Sequence, residues 1–385
     1  MQIAEKPLLR IDAEESREGR GVTLRPVGPL APVAKPVIEV INRVFADEKP
    51  ISCGPDRFIF STWVPPAPSL AFDRMLSAQV GALTRRRVPD QFSIAIIKAC
   101  PNDCIHCSAP SRSGEILSDD IIKKAISDAL DLGSYLITFD GGETMLRREL
   151  PSLVSSVDQR AIATAFTSGY HLTLDLARQL KQAGLYAVRI SIDSPHEDEH
   201  DRIRGRKGAF RDALAGARNA LQAGLLVDLF MVTSPGNIDH LEDAFGLASD
   251  LGAHELSLYE IVAVGRWSSH QDEVLSPEDI LRLERFHKEK NRTQGPRVTA
   301  LPYLLGPRMF GCFAGRRWIH VDASGEALPC AYMPVSFGNI KQKSLKDIWK
   351  EMSRYRWFSG RCACQMKDPA FRAAHCQAFA PTEEI

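Results

Sequence analysis

One phrase recurs through the middle of the chain: an amphipathic stretch with apolar residues at helical spacing, a glycine, then a run of β-formers apolar on both faces. It reads DLG-SYLITFD (131–140), QAG-LYAVRISID (182–193), QAG-LLVDLFMVT (222–233) and DLG-AHELSLYEI (250–261). Gly133, Gly184, Gly224 and Gly252 fit the left-handed position that ends a helix. The stretch SDDIIKKAISDALDLG (118–133) shows the pattern in full. Ser118 is the expected N-cap, and Asp119 and Asp120 complement the first turn. Ile121, Ile122, Ala125, Ile126, Ala129 and Leu130 then share one face.

With FSIAIIK (92–98) and AIATAFTS (161–168), six strands alternate with helices or loops. Strands that are apolar throughout predict a parallel sheet with right-handed crossovers, an α/β fold. Six such units over roughly 175 residues suit a partial (β/α)6 TIM-like barrel better than a closed eight-unit one. Chemistry in these folds collects at the carboxyl ends of the strands.

The expected domains are an N-terminal extension of unknown role (1–90), the partial barrel (91–267), a linker helix region (268–310) and a small Cys-rich domain (311–385). Residues 1–90 are rich in proline and lack the phrase. They predict helices around VIEVINRVFA and FDRMLSAQVGAL, and a strand and turn in FIFSTWVPPAPS that packs on the barrel. SPEDILRLERFHKEK (276–290) predicts a helix capped by Ser276 with Pro277 at its first position.

Composition adds limits. The 385 residues are 44% hydrophobic and 25% charged, globular values that exceed one core and predict two or three domains. Lys plus Arg equals Asp plus Glu, 48 each, so no nucleic-acid partner is expected, and Arg85-Arg86-Arg87 reads as solvated surface. No apolar stretch reaches the length of a membrane span, and the N-terminus lacks a basic-then-apolar signal, so a cytoplasmic protein is expected. Nine cysteines in a reducing compartment are thiols or metal ligands. Cys53 stands alone and is expected to be a buried packing residue.

The sharpest chemical signal is KACPNDCIHCSAP (98–110), which sets Cys100, Cys104 and Cys107 on the loop after the first barrel strand. Structural zinc takes four ligands, commonly from separated C-x2-C pairs. Here the spacing is C-x3-C-x2-C with no fourth cysteine nearby, and His106 is poorly placed to wrap the same ion. A four-iron cubane held by three thiolates, with one iron left open, fits better.

That arrangement resembles the signature of the radical S-adenosylmethionine (SAM) superfamily. The resemblance implies that SAM chelates the open iron of a [4Fe–4S] cluster and is reductively cleaved to a 5′-deoxyadenosyl radical, which abstracts a substrate hydrogen. Further segments match in order. FDGGETML carries a Gly-Gly-Glu motif at Gly141, Gly142 and Glu143, where the backbone meets the SAM amino group, and TSG places Ser168 where the family has Asn. RISIDSP supplies Ser191 and Asp193, which by the match contact SAM or face the substrate; Asp193 is taken as a catalytic candidate. HDRIRGRKGAF (200–210) places Arg204 against the SAM carboxylate, and YEIVAVGRW (259–267) holds the adenine at backbone near Val264.

WIHVD and EALPC read as a hairpin that brings Cys312 and Cys330 together. The C-x12-G-x4-C pattern through Gly325, then FGNI and SLKDIW with Ser344 as N-cap, resembles SPASM and twitch domains, which bind auxiliary [4Fe–4S] clusters. Five cysteines rather than the seven of a full SPASM domain imply one auxiliary cluster, held by Cys312, Cys330 and two of Cys362, Cys364 and Cys376. Zinc is the alternative occupant.

The resemblance implies an oxidoreductase: dehydrogenation, decarboxylation, or C–C or C–S bond formation on a peptide or small biosynthetic intermediate. A redox-neutral epimerase, mutase or coupling enzyme is the alternative, and a non-catalytic metal-binding protein the third reading. Asp193, Tyr259, Glu260, His320 and Tyr332 are substrate-side candidates by position, Asp193, Tyr259 and Tyr332 being taken as catalytic. SPASM sulfatase-modifying enzymes carry an Asp base directly after the hairpin cysteine, where this chain has Ala331 and Tyr332. A flavodoxin or ferredoxin is the expected electron donor.

Overall fold

The computed structural model describes residues 2–6, 9–15, 22–45, 48–54, 57–83 and 87–375. Three antiparallel strands come first, β1 (Gln2–Lys6), β2 (Leu9–Glu15) and β3 (Val22–Val27), with helix α1 (Ala31–Phe45) against β3. This sheet was not expected, although strict alternation in LRIDAE announces it: Ile11 and Ala13 are buried between charged neighbours. The short pair β4 (Ser52–Cys53) and β5 (Phe58–Ile59) and helix α2 (Leu70–Leu83) follow. Cys53 is exposed rather than buried, because a two-residue edge pair has no second layer over it. Arg85 and Arg86 lie outside the described residues, and Arg87 donates to the Phe358 carbonyl at 3.2 Å.

The repeated phrase builds the main sheet. Its strands are β6 (Gln91–Ile97), β7 (Leu136–Gly141), β8 (Ile162–Thr167), β9 (Leu185–Ser191), β10 (Leu226–Thr233) and β11 (Glu255–Glu260). Intervening helices are α3 (Asp119–Leu132), α4 (Leu150–Val154), α5 (Leu174–Gln182), α6 (Glu197–Arg204), α7 (Ala209–Gln222) and α8 (Leu241–Leu251). The four glycines of the phrase all have positive φ, from 73° at Gly252 to 117° at Gly133. Ser118 caps α3 by backbone position alone, its side chain making no cap bond.

Two additions extend the sheet beyond the six expected strands. After α9 (Pro277–Lys290), capped by Ser276 and Asp279 reciprocally, β12 (Arg297–Ala300) pairs parallel with β11. Beyond the short α10 (Leu301–Leu304), the hairpin β13 (Trp318–Val321) and β14 (Ala327–Leu328) joins the other edge, β13 running parallel to β6. The order is β12-β11-β10-β9-β8-β7-β6-β13-β14, a curved sheet whose two ends do not pair with each other. The cysteine-rich region thus shares a sheet with the partial barrel. Helices α11 (Leu345–Met352) and α12 (Pro369–His375) complete the described chain, and Ser344 caps α11 by accepting from the Asp347 amide. Among the described residues no helix is long and apolar enough to cross a membrane.

Strand alternation sorts the two faces. On β6, Phe92, Ile94 and Ile96 are fully buried in the core that also holds Ile122 and Ile126 of α3, each apolar side chain contributing about 1.5–3 kcal/mol. Ser93, Ala95 and Ile97 face an interior cavity of about 1640 Å³.

The segment after β5 closes the amino ends of the strands. Ser61 Oγ and the Thr62 amide donate to the Glu255 carboxylate at 2.8 and 2.6 Å, and Trp63 Nε1 donates to Ser257 Oγ at 2.9 Å. The wholly buried Arg189 guanidinium lies 3.6 Å from the Trp63 ring centroid. Trp63→Ala is therefore expected to lower stability by about 3 kcal/mol, read as a lower urea midpoint. An unchanged midpoint would show that this segment is no part of the folded core.

Candidate active site

The loop after β6 carries Cys100, Cys104 and Cys107 across the carboxyl edge of the sheet, pinned from three directions by backbone. The Gly142 and Glu143 amides donate to the Ile97 and Ala99 carbonyls at 2.7 and 2.8 Å, the Asp103 and Ile105 amides to the Arg204 and Ile203 carbonyls, and the Arg266 amide to the Cys107 carbonyl. These approaches explain the Gly-Gly pair. A Cβ on Gly142 would sit 2.2 Å from the Ala99 oxygen, and one on Gly141 2.4 Å from the Ile97 oxygen.

Glu143 and Ser168, both expected at the cofactor, meet each other. The buried Glu143 carboxylate accepts from Thr167 Oγ1 (2.7 Å), Ser168 N (2.8 Å), Ser168 Oγ (2.5 Å) and Met145 N (3.1 Å), locking the β7 and β8 loops together. Burial still pushes its carboxyl upward.

Asp193 is fully buried and does not line the cavity. Its Oδ2 lies 2.8 Å from both His106 Nε2 and Arg204 Nε, and its Oδ1 accepts from the Val232 amide at 3.1 Å. Burial opposes its charge, but Arg204 and then His106 outweigh burial and hold the carboxyl well below the ordinary carboxylate range. Arg204 also lies 3.7 Å from Cys104 Sγ, and Arg112 donates to Cys107 Sγ at 3.4 Å. Two guanidiniums therefore face the thiols. Ser191 lines the cavity, whereas Val264 is buried in the turn after β11.

The second group forms where the hairpin meets the chain end. The Cys312 amide donates to the Cys362 carbonyl at 2.8 Å. Burial, and then the neighbouring Cys362, push the Cys312 thiol up to about 11, and burial with Cys312 pushes Cys330 up to about 12. Cys364 is raised well above the usual range by burial and then by Cys312, Glu260 and Cys330, so Cys312, Cys330 and Cys364 share one neighbourhood, with Cys362 beside Cys312. Cys376 lies outside the described residues.

Beside them, the Tyr259 and Tyr332 rings stack with centroids 5.0 Å apart, and Phe230 stacks on Tyr259 at 5.9 Å. Burial, then Tyr332 and the cysteines, raise the Tyr259 phenol. Both tyrosines line the cavity, as does His320, whereas Glu260 pairs with Lys367. Sequence reasoning missed Ser93, Asp140 and Trp318 in the same wall. A polar residue inside the apolar strand FSIAIIK, and an acid ending SYLITFD, were the signals available.

The donor set fits iron–sulfur clusters better than zinc. Four ligands about 2.3 Å from one zinc ion stand under 4 Å apart. Among the described residues no three cysteine sulfurs lie within 4.8 Å of one another; the one such donor trio is His196, His240 and Asp243 at the surface. All the described cysteines lack disulfides. Buried thiols raised to about 11 and 12 stay protonated unless metal replaces the protons.

A three-cysteine loop at the carboxyl edge of a partial parallel barrel, with a second cysteine group on the same sheet, defines an iron–sulfur barrel protein. The chain carries a radical SAM superfamily domain, whose family model matches residues 94–248, and a SPASM iron–sulfur cluster-binding domain, whose model matches residues 312–377. It is 26% identical over 285 residues to the AdoMet-dependent heme synthase of Methanosarcina barkeri, covering 67% of this chain and 81% of that protein. It is 28% identical over 331 residues to the PqqA peptide cyclase of Bradyrhizobium diazoefficiens, covering 80% and 87%. Among solved structures it resembles Streptococcus suis SuiB bound to S-adenosylmethionine (TM-score 0.59, 13% identity, 97% and 90% covered). The same protein bound to its precursor peptide SuiA aligns with TM-score 0.59 and 13% identity over 74% and 72% of the chains.

Proposed function

We propose that the chain performs an oxidative modification, by hydrogen abstraction, of a peptide or small biosynthetic intermediate held in the barrel cavity. The observation that carries this reading is the cavity itself: Gly141, Ser191 and Arg204 line it beside the first cysteine group, and Tyr259 and Tyr332 line it beside the second. A [4Fe–4S] cluster on Cys100, Cys104 and Cys107, with SAM at its open iron, supplies a 5′-deoxyadenosyl radical when bound. Gly141, Gly142, Ser191, Arg204 and the backbone at Val264 hold SAM in this reading, while Glu143 and Ser168 fix the loops that carry the contacts. Asp193 orients Arg204 and His106 rather than touching substrate. One auxiliary [4Fe–4S] cluster would be held by Cys312, Cys330 and two of Cys362, Cys364 and Cys376, with Cys362 and Cys364 favoured by their place beside Cys312, and Tyr259 and Tyr332 line the cavity next to this group.

A peptide is the favoured substrate class, supported by the PqqA peptide cyclase relative and by SuiB bound to SuiA. A flavodoxin or ferredoxin donor and a reducing cytoplasmic setting belong to the same reading. The auxiliary site is tested with Cys330→Ser/Cys364→Ser. Iron is expected to fall by about four atoms per chain while 5′-deoxyadenosine release from SAM persists. Unchanged iron would overturn the auxiliary assignment.

Gly142→Ala should lose most of the roughly four irons of the first cluster, because the clashing Ala99 and Lys98 oxygens belong to the cysteine loop's own backbone. Full iron loading and unimpaired SAM cleavage in that variant would show that the loop tolerates displacement.

A further inference from the structure

We propose that Asp140 and His320 form a recognition site for a cationic group of the substrate, a primary ammonium or a guanidinium. This inference rests on the functional reading above and adds the chemical class that the cavity selects. Asp140 is the penultimate residue of β7 and His320 lies on β13, so the site exists only because the hairpin joins the barrel sheet.

Among the described residues the carboxyl of Asp140 has no hydrogen-bond donor. Its Oδ1 is buried with no hydrogen-bond partner, and its Oδ2 stands 3.6 Å from His320 Nδ1, beyond hydrogen-bond distance. The imidazole is already spent on that side. Trp318 Nε1, which can only donate, donates to Ser93 Oγ at 2.8 Å, and Ser93 Oγ lies 2.8 Å from His320 Nδ1. Nδ1 is therefore engaged with Ser93, whichever of the two carries the shared proton. Burial pushes the imidazole down to about 3, so His320 is neutral and brings no charge to Asp140.

The buried acids on and beside this sheet each have a cation or several donors, although Asp228 Oδ1 is bare as well. Asp193 has Arg204, Asp228 has Arg189, Glu255 has Arg297, Asp90 has Arg317, and Glu143 has four N–H and O–H donors. Among the described residues Asp140, whose side chain is 18% exposed and lines the cavity, has neither, and burial with no opposing cation pushes its carboxyl up to about 8. A carboxyl oxygen buried without a partner is unfavourable in the folded chain and so is retained against a cost. Its surroundings suit a cation. Tyr332 and Trp318 line the same cavity, and Trp318 packs edge-on to Tyr332 at 6.2 Å. Aromatic faces and a carboxylate in one desolvated wall attract an ammonium or guanidinium, whereas an alcohol or carboxylate gains little there.

The test is anaerobic titration calorimetry on the full, cluster-reconstituted chain without SAM, using n-hexylammonium, 1-hexanol and n-hexanoate as probes. The ammonium is expected to bind at least tenfold more tightly than the alcohol, about 1.4 kcal/mol, with hexanoate the weakest. Asp140→Asn, which keeps the side-chain shape, should erase that preference and leave hexanol binding unchanged. Equal binding of ammonium and alcohol by the wild type, which needs no variant to fold, would overturn the proposal. So would an unaltered preference in Asp140→Asn. A chain that cleaves SAM yet shows no preference overturns this inference alone, whereas one that prefers the ammonium yet cannot cleave SAM overturns the proposed function.

Discussion

Replacing Cys100, Cys104 and Cys107 together by alanine should abolish release of 5′-deoxyadenosine and lower iron by about four atoms per chain, leaving the auxiliary iron in place. The loss is expected to be complete rather than graded, because no other cysteine among the described residues reaches this loop. The fold should survive. The loop's path is set by backbone bonds from Gly142, Glu143, Asp103, Ile105 and Arg266, none of which uses a thiol. The melting temperature of the cluster-free variant should therefore stay close to that of the cluster-free wild type. Residual deoxyadenosine at wild-type rates would place SAM cleavage elsewhere; unfolding would show that the thiols themselves pack the loop.

The largest expected stability effect is at Asp193. Asp193→Asn keeps the shape but removes the charge facing Arg204, which is only 7% exposed, and His106. A buried guanidinium left without its partner destabilises by about 3–5 kcal/mol. The pH dependence follows from the direction of the shift. The folded carboxyl sits below its unfolded value, so its stabilisation is complete above the unfolded value of about 4 and fades as pH falls toward the folded one. The difference in urea midpoint between wild type and Asp193→Asn should be large at pH 7 and shrink below about pH 4. A pH-independent difference would mean that Asp193 acts through packing. The same substitution disturbs Arg204 beside Cys104, so SAM cleavage should weaken as well.

The helix–glycine–strand phrase made the barrel readable because each unit carries its own apolar periodicity and its own terminator. Three features escaped for physical reasons. β12 is only four residues long and opens with Arg297, whose charge is answered inside the barrel by Glu255 and Glu48. The N-terminal sheet did announce itself by alternation in LRIDAE, but the prolines around it drew the reading toward irregular structure. The hairpin's place on the barrel edge depends on β13 pairing with β6, more than 220 residues earlier, which no local pattern encodes.

The site divides the same way. Cys100, Cys104 and Cys107 were legible because metal-ligand spacing is a local property of a loop. Asp193 was legible as important but not in its role, since the partners that use up both its oxygens, His106, Arg204 and Val232, come from three other segments. Asp140 and Ser93 stood out only as polar residues in apolar strands, because their neighbour His320 arrives only when the hairpin docks.

The most direct test of the account is made on anaerobically purified, reconstituted wild-type chain. Iron and sulfide are counted, dithionite and SAM are added, and 5′-deoxyadenosine is measured. The account predicts about eight irons and eight sulfides per chain, together with release of deoxyadenosine. Zinc in place of iron, or iron without cleavage of SAM, would contradict it.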